Sequence, residues 1–136
     1  MQSIYKYSGE RKSHQSFNEV YFWTSTIKNW KHLLKDDEMK MIIMHSFQWL
    51  VEHELVYIYG YVIMNNHIHV LWEQLKMNGK ETPKESLEKF TGHMFLKKLK
   101  VDINTLEVSV TEQKDRNYLF WQRNQIPIVI TAKKKE

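Results

Sequence analysis

Residues 55–72, LVYIYGYVIMNNHIHVLW, constrain the fold more than any other part of this chain. The run LVYIYGYVIM (55–64) is dense in β-branched and aromatic residues, Asn65–Asn66 is a turn-forming pair, and HIHVLW (67–72) resumes the strand pattern. Two such strands so close in sequence form a β-hairpin, and side chains alternate along each. His67 and His69 therefore share one face, while Ile68, Val70 and Trp72 take the other. A hairpin with one wholly apolar face needs a helical layer to cover it.

The flanks supply that layer. NEVYFWTSTIKNW (18–30) reads as an earlier strand. Met39, Ile42, Ile43, Phe47, Leu50 and Val51 recur at helical spacing over 37–54, with Asp36 and Asp37 placed to cap the first turn. Thr82, Pro83 and Glu85 have the spacing of a capping box with proline at the first helical position. They open a second helix whose expected buried stripe is Leu87, Phe90, Met94 and Leu99. The segment 101–117 has no clear period. NYLFWQ (117–122) is taken as the last strand, and Ile126–Thr131 is a further short apolar run.

The resulting order is strand, helix, strand, strand, helix, strand. It predicts an α+β, ferredoxin-like split βαβ fold: an antiparallel sheet with both helices on one face. The 136 residues make one domain, 1–136, with an irregular N-terminus over 1–16 and an irregular tail over 124–136.

Two imidazoles on one face of a strand lie about 6.5–7 Å apart at their Cα atoms. That spacing lets them converge on one cation. Two surface or hydrogen-bonded histidines would give the same pattern. A third ligand would have to come from elsewhere, and Glu73, His93 and Gln122 are the candidates.

Composition narrows the setting. The chain has no cysteine, which excludes disulfides and thiolate metal sites and fits a reducing, cytoplasmic location. No apolar run approaches the roughly 20 residues that span a bilayer, and the N-terminal residues lack an apolar stretch of signal-peptide length. The formal net charge of +4 and a pI near 9.2 favour an acidic partner such as nucleic acid. Lys97, Lys98 and Lys100 cluster at the end of the second helix, Arg116 and Arg123 flank an aromatic run, and Lys133–Lys135 close the sequence. A solvated surface with a basic tail would look the same.

YGYVIMNNHIHVLW resembles the signature of the HUH-type single-tyrosine transposases, which include the REP-associated tyrosine transposases. In that signature an aromatic-Gly-aromatic strand passes through a Met-x-Asn turn into His-hydrophobic-His. The matching residues are Tyr59, Gly60, Tyr61, Met64, Asn66, His67, Ile68 and His69. YFWTSTIKNW (21–30) resembles the family's first strand, KESLEKFTGHM (84–94) its second helix and YLFWQR (118–123) a late aromatic segment, so the likeness spans about residues 18–124.

The resemblance implies an expectation for each part of the site. His67 and His69 hold a divalent metal, Mg²⁺ or Mn²⁺. The partner is single-stranded or hairpin DNA, and a homodimer through the sheets is plausible by family analogy. A tyrosine from a later helix cleaves the strand, leaving a 5′-phosphotyrosine and a free 3′-hydroxyl ready for rejoining. By position, Asn66 either holds the turn or contacts DNA, Lys89, Thr91, Lys97, Lys98, Arg116 and Arg123 either reach phosphates or form solvated surface, and Trp121 either stacks on a base or packs in the core.

The sequence departs from the family at the nucleophile. Thirteen residues follow Arg123, and none is tyrosine. The expectation is a chain truncated before the tyrosine helix, keeping the metal and DNA platform. Tyr118 is the nearest substitute nucleophile, while Tyr57, Tyr59 and Tyr61 read as core residues of their strand. Two other functions stay open: an inactive remnant that only binds hairpin or single-stranded DNA, and a phosphodiesterase in which metal-bound water replaces tyrosine.

Overall fold

A computed structural model describes residues 5–11, 15–99, 120–122 and 127–132. Its elements are β1 (Tyr5–Arg11), β2 (Val20–Thr26), α1 (Asp37–Glu52), β3 (Val56–Ile63), β4 (His67–Gln74), α2 (Pro83–Leu99) and β5 (Ile128–Ala132). The five strands form one sheet in the order β1-β5-β2-β4-β3, and every described pair is antiparallel. Without β1 the order β5-β2-β4-β3 is that of a split βαβ fold. β4 runs between β2 and β3, and β2 runs between β4 and β5. The expected α+β architecture is present.

Both helices begin where their capping chemistry dictates. Asp36 Oδ1 accepts from the Glu38 N–H at 2.8 Å, meeting one of the free donors of the α1 first turn. At α2, Glu85 N–H donates to Thr82 Oγ1 and Thr82 N–H donates to Glu85 Oε1, both at 3.2 Å, completing the reciprocal box. Pro83 takes the first helical position, where no N–H is needed.

The helices pack against each other and cover one face of the sheet. Ile68, Val70 and Trp72 of β4 and Tyr21 and Trp23 of β2 are buried beneath them, with the Trp23 and Trp72 rings 4.9 Å apart. From α1 the expected residues Met39, Ile42, Ile43, Phe47 and Leu50 are buried, whereas Val51 is exposed.

The buried stripe of α2 differs from the one expected. It runs through Leu87, Thr91 and Phe95, while Phe90 and Leu99 face outward and Met94 is half-buried. The reason lies in Trp121, which is buried and donates its indole N–H to Thr91 Oγ1 at 2.9 Å. The Thr91 hydroxyl in turn donates to the Leu87 carbonyl at 2.7 Å. A threonine with its polar group fully engaged sits in the core as readily as an apolar residue.

Two further expectations change. Trp121 does not lie in a long strand: it makes one isolated bridge to Ile27, and the last described strand is β5, in the segment expected to be an irregular tail. Val129 of β5 is buried opposite Tyr21, so this run has an apolar face to offer the core. Residues 5–11 likewise form β1, pairing with β5, where an irregular N-terminus was expected. No helix among the described residues is long and apolar enough to cross a membrane.

Ile68→Ala should lower the unfolding free energy in urea by about 2–5 kcal/mol, the usual cost of emptying a fully buried aliphatic site. Leu71→Ala, at a half-buried position facing the other way, should cost markedly less.

Candidate functional site

The sheet face away from the helices is built by register. Along the β2–β4 ladder Thr26 lies opposite His67, Thr24 opposite His69, Phe22 opposite Leu71 and Val20 opposite Glu73. On β3, Val62 is opposite His69, and on β5, Ile130 and Ile128 are opposite Val20 and Phe22. The two histidines are therefore central in the sheet, with their side chains half-exposed on its open face.

Their rings meet edge to face, with centroids 4.8 Å apart. Each is held from its Nδ1 side. His67 Nδ1 is 2.7 Å from Asn66 Oδ1, and a carbonyl oxygen can only accept, so in the neutral ring the proton sits on Nδ1 and the lone pair on Nε2. His69 Nδ1 shares a 2.8 Å hydrogen bond with Thr24 Oγ1, which can accept the same way. Phe22 stacks on the His69 ring at 5.5 Å and 15°. Burial, then the neighbouring His67, lower the pKa of His69 from its ordinary 6.5. A neutral imidazole with a fixed outer hydrogen bond is the form that ligates a metal. Among the described residues no cluster of three or more His, Asp or Glu is placed to hold one.

The three candidates for a further ligand are dispersed. Glu73 is on the same face of β4 but four residues beyond His69, where its Oε1 accepts from the Tyr59 hydroxyl at 2.9 Å. His93 is on the outer surface of α2. Gln122 is the nearest in the chain's course, because its N–H donates to the carbonyl of Thr26, the residue opposite His67.

The expected DNA contacts divide similarly. Asn66 adjoins the histidines. Lys89, Lys97 and Lys98 project from α2, in the layer on the other side of the sheet. Lys89 pairs with Glu81 at 2.7 Å, and Lys98 pairs with Glu38, which raises the Lys98 pKa. Thr91 is fully buried with its hydroxyl committed to Leu87 and Trp121, which places it out of reach of a phosphate. Trp121 belongs to the core. Arg116, Arg123 and Tyr118 lie outside the described residues.

Three residues on this face escape a reading of the sequence alone. Thr24 becomes the partner of His69 only through the β2–β4 register. Tyr57 and Tyr59, expected in the core, are 57% and 56% exposed. Register explains both: Tyr57 lies opposite Glu73 and Tyr59 donates to Glu73, on the open face. An irregularity between Ile58 and Gly60 adds a residue, so that Tyr61, also expected in the core and 44% exposed, crosses to the helical side and packs on Phe47. Partial burial and the bond to Glu73 raise the Tyr59 pKa above its ordinary 10.0, so its hydroxyl stays protonated at neutral pH.

Comparison with protein-family models and with curated proteins gives no match. Among solved structures the chain is similar to a REP-associated tyrosine transposase bound to a REP hairpin, at 13% identity and a TM-score of 0.56. The alignment covers 90% of this chain and 62% of that one, so the chain spans about three fifths of that protein's length. At such identity the likeness is one of fold.

His69 should show a midpoint below 6.5 when its ring protons are followed by NMR against pH. The sign for stability follows. The unfolded imidazole binds its proton more readily than the folded one, so a contribution present above about pH 6.5 is lost as pH falls through the lowered folded value. His69→Gln should flatten that part of the stability profile.

Proposed function

We propose that the open sheet face is a divalent-metal and DNA face, and that the chain is a transposase-type domain acting on single-stranded or hairpin DNA. The observation that carries the reading is the pair His67 and His69, side by side on the open face, each fixed from its Nδ1 side. Support comes from the resemblance over YGYVIMNNHIHVLW and from a fold shared with a protein bound to a DNA hairpin.

In this reading His67 and His69 hold Mg²⁺ or Mn²⁺ through Nε2. The donor set fits such an ion in part: two nitrogen ligands, with phosphate and water oxygens to complete the shell. When bound, the ion polarises a phosphodiester oxygen as a Lewis acid. The chain's own residues position the site. Asn66 sets the tautomer and tilt of the His67 ring, Thr24 does the same for His69, and Phe22 limits rotation of the His69 ring. Tyr57 and Tyr59 present exposed rings on the same face, on which unpaired bases can stack.

The fuller form of the reading is strand cleavage and transfer. A tyrosine oxygen attacks phosphorus, the bond from phosphorus to the 3′-oxygen breaks, and the departing oxygen takes up a proton. A 5′-phosphotyrosine holds the strand for rejoining. Tyr118 and Tyr59 are the tyrosines to test. The binding-only alternative keeps the DNA face without this step.

Labelled hairpin DNA with a single-stranded flank, incubated with the protein and Mn²⁺, separates these forms. Retention on a native gel that His67→Ala weakens is the expected result. A covalent band on a denaturing gel, lost in Tyr118→Phe or Tyr59→Phe, establishes strand transfer. Retention without the band leaves the binding-only form, and no retention of any hairpin or single strand overturns the reading.

Asn66→Ala should weaken Mn²⁺ binding by about 10–100-fold without unfolding the protein, as removal of a ligand's outer hydrogen bond does. Calorimetric titration with Mn²⁺ measures this, with His67→Ala as the reference for loss of a direct ligand.

A further inference from the structure

On the side of the molecule away from His67 and His69, α1 and α2 leave a groove of about 460 Å³ between them. Small-molecule sites fall within about 300–1,000 Å³. Trp49 of α1 and Phe90 of α2 both line it, yet remain 44% and 49% exposed. Each helix thus contributes one large, half-exposed aromatic side chain, Trp49 with His53 stacked on its ring at 3.9 Å.

Ser46 supplies the second observation. It lines the same groove, is 3% exposed, and its hydroxyl has no hydrogen-bond partner among the described residues. A buried hydroxyl left unpaired is costly, and native structures rarely retain one without a use.

The polar end of the groove is already organised. Asn78 Nδ2 donates to Ser86 Oγ at 3.0 Å, the Ser86 hydroxyl donates to Glu81 Oε2 at 3.0 Å, and Lys89 Nζ donates to Glu81 Oε1 at 2.7 Å. The Glu81–Lys89 pair balances its own charge, and the carboxylate oxygens keep lone pairs for another donor. Lys89 chiefly, with Ser86 assisting, holds the Glu81 carboxyl below its ordinary range.

These features select a ligand. Aromatic walls favour a flat ring, and the unpaired hydroxyl and ionised carboxylate favour an edge with hydrogen-bonding groups, to which the imidazoles of His45 and His93, also in the lining, add further polar groups. An aliphatic ligand would leave Ser46 unpaired. A nucleobase with an amino group has apolar faces and a polar edge together.

We propose that the α1–α2 groove binds one amino-bearing nucleobase, stacked against Trp49 and Phe90 with its edge on Ser46 and Glu81. The base can belong to a free nucleoside or to an unpaired position of a strand. The proposal is independent of the histidine face, and either can fail alone.

Titration with adenosine, followed in ¹H–¹⁵N spectra, tests it. The Trp49 indole and the Ser46 and Phe90 amides should shift saturably, with a dissociation constant of about 0.1–5 mM, as expected for a ligand of this size. Ser46→Ala, which removes an unpaired hydroxyl and so should fold normally, should weaken adenosine binding about 5–10-fold. Phe90→Ala should weaken it about tenfold. An adenine-containing single strand that competes for the same resonances identifies a strand as the source, and adenosine binding without such competition identifies a free ligand; both outcomes support the site. Absence of Trp49 shifts at about 5 mM adenosine would overturn it. So would phenol binding as tightly as adenosine with no effect of Ser46→Ala, since the groove would then recognise apolar surface alone.

Discussion

The pairing of β2 with β4, from Val20 opposite Glu73 to Thr26 opposite His67, is the constraint on which the other features depend. Side chains alternate with a period of two, so a slip of one residue would turn His67 and His69 into the helical core and expel Ile68, Val70 and Trp72. The register is held from both sides of the sheet. On the helical side Trp23 packs on Trp72, and on the open side Thr24 bonds His69 while Phe22 stacks on it. The contacts that orient the imidazoles are thus the same ones that specify the fold. Burying three large side chains beneath the helices is what makes the slip costly, and the precision of the site is inherited from that burial.

Much of this was legible in the sequence where local chemistry and periodicity agreed. The Asn65–Asn66 hairpin, the cap at Asp36, the box at Thr82–Glu85 and the alternation that puts both histidines on one face each rest on neighbours within a few residues. The final strand was not legible, because NYLFWQ and the run following Pro127 are both short, apolar and bounded by polar residues. Only their fit to the rest decides: Trp121 finds a hydrogen-bond partner under α2, and Val129 finds a buried place beside β2. β1 is harder still, since YKYSGER has no apolar period and pairs through its backbone at the far edge of the sheet. Thr91 was misplaced for a similar reason. Its polarity suggested solvent, while its hydroxyl is satisfied by a carbonyl one turn away and an indole thirty residues later.

Part of the positive charge on the helical layer is already paired. Among the described residues of the helical layer, Lys84, Lys89 and Lys98 are each joined to a glutamate. Lys84 is the most enclosed: it contacts the nearly buried Glu88 and also lies over the Trp23 ring at 5.3 Å. These three lysines therefore add little unbalanced positive charge to the helical layer.

The irregularity in β3 has a bearing on how the molecule behaves in concentrated solution. Among the described residues β3 is an edge strand, and its sequence VYIYGYVI contains neither charge nor proline. Such an edge is a template on which another chain can add a strand, the first step towards ordered aggregates. The additional residue at Tyr59 breaks the even spacing of donors and acceptors along it and sharpens the local twist. An incoming strand would find its hydrogen-bonding positions in phase only over a short stretch on either side. The same distortion that carries Tyr61 to the helical side therefore acts as the solubility safeguard that a lysine provides at other sheet edges.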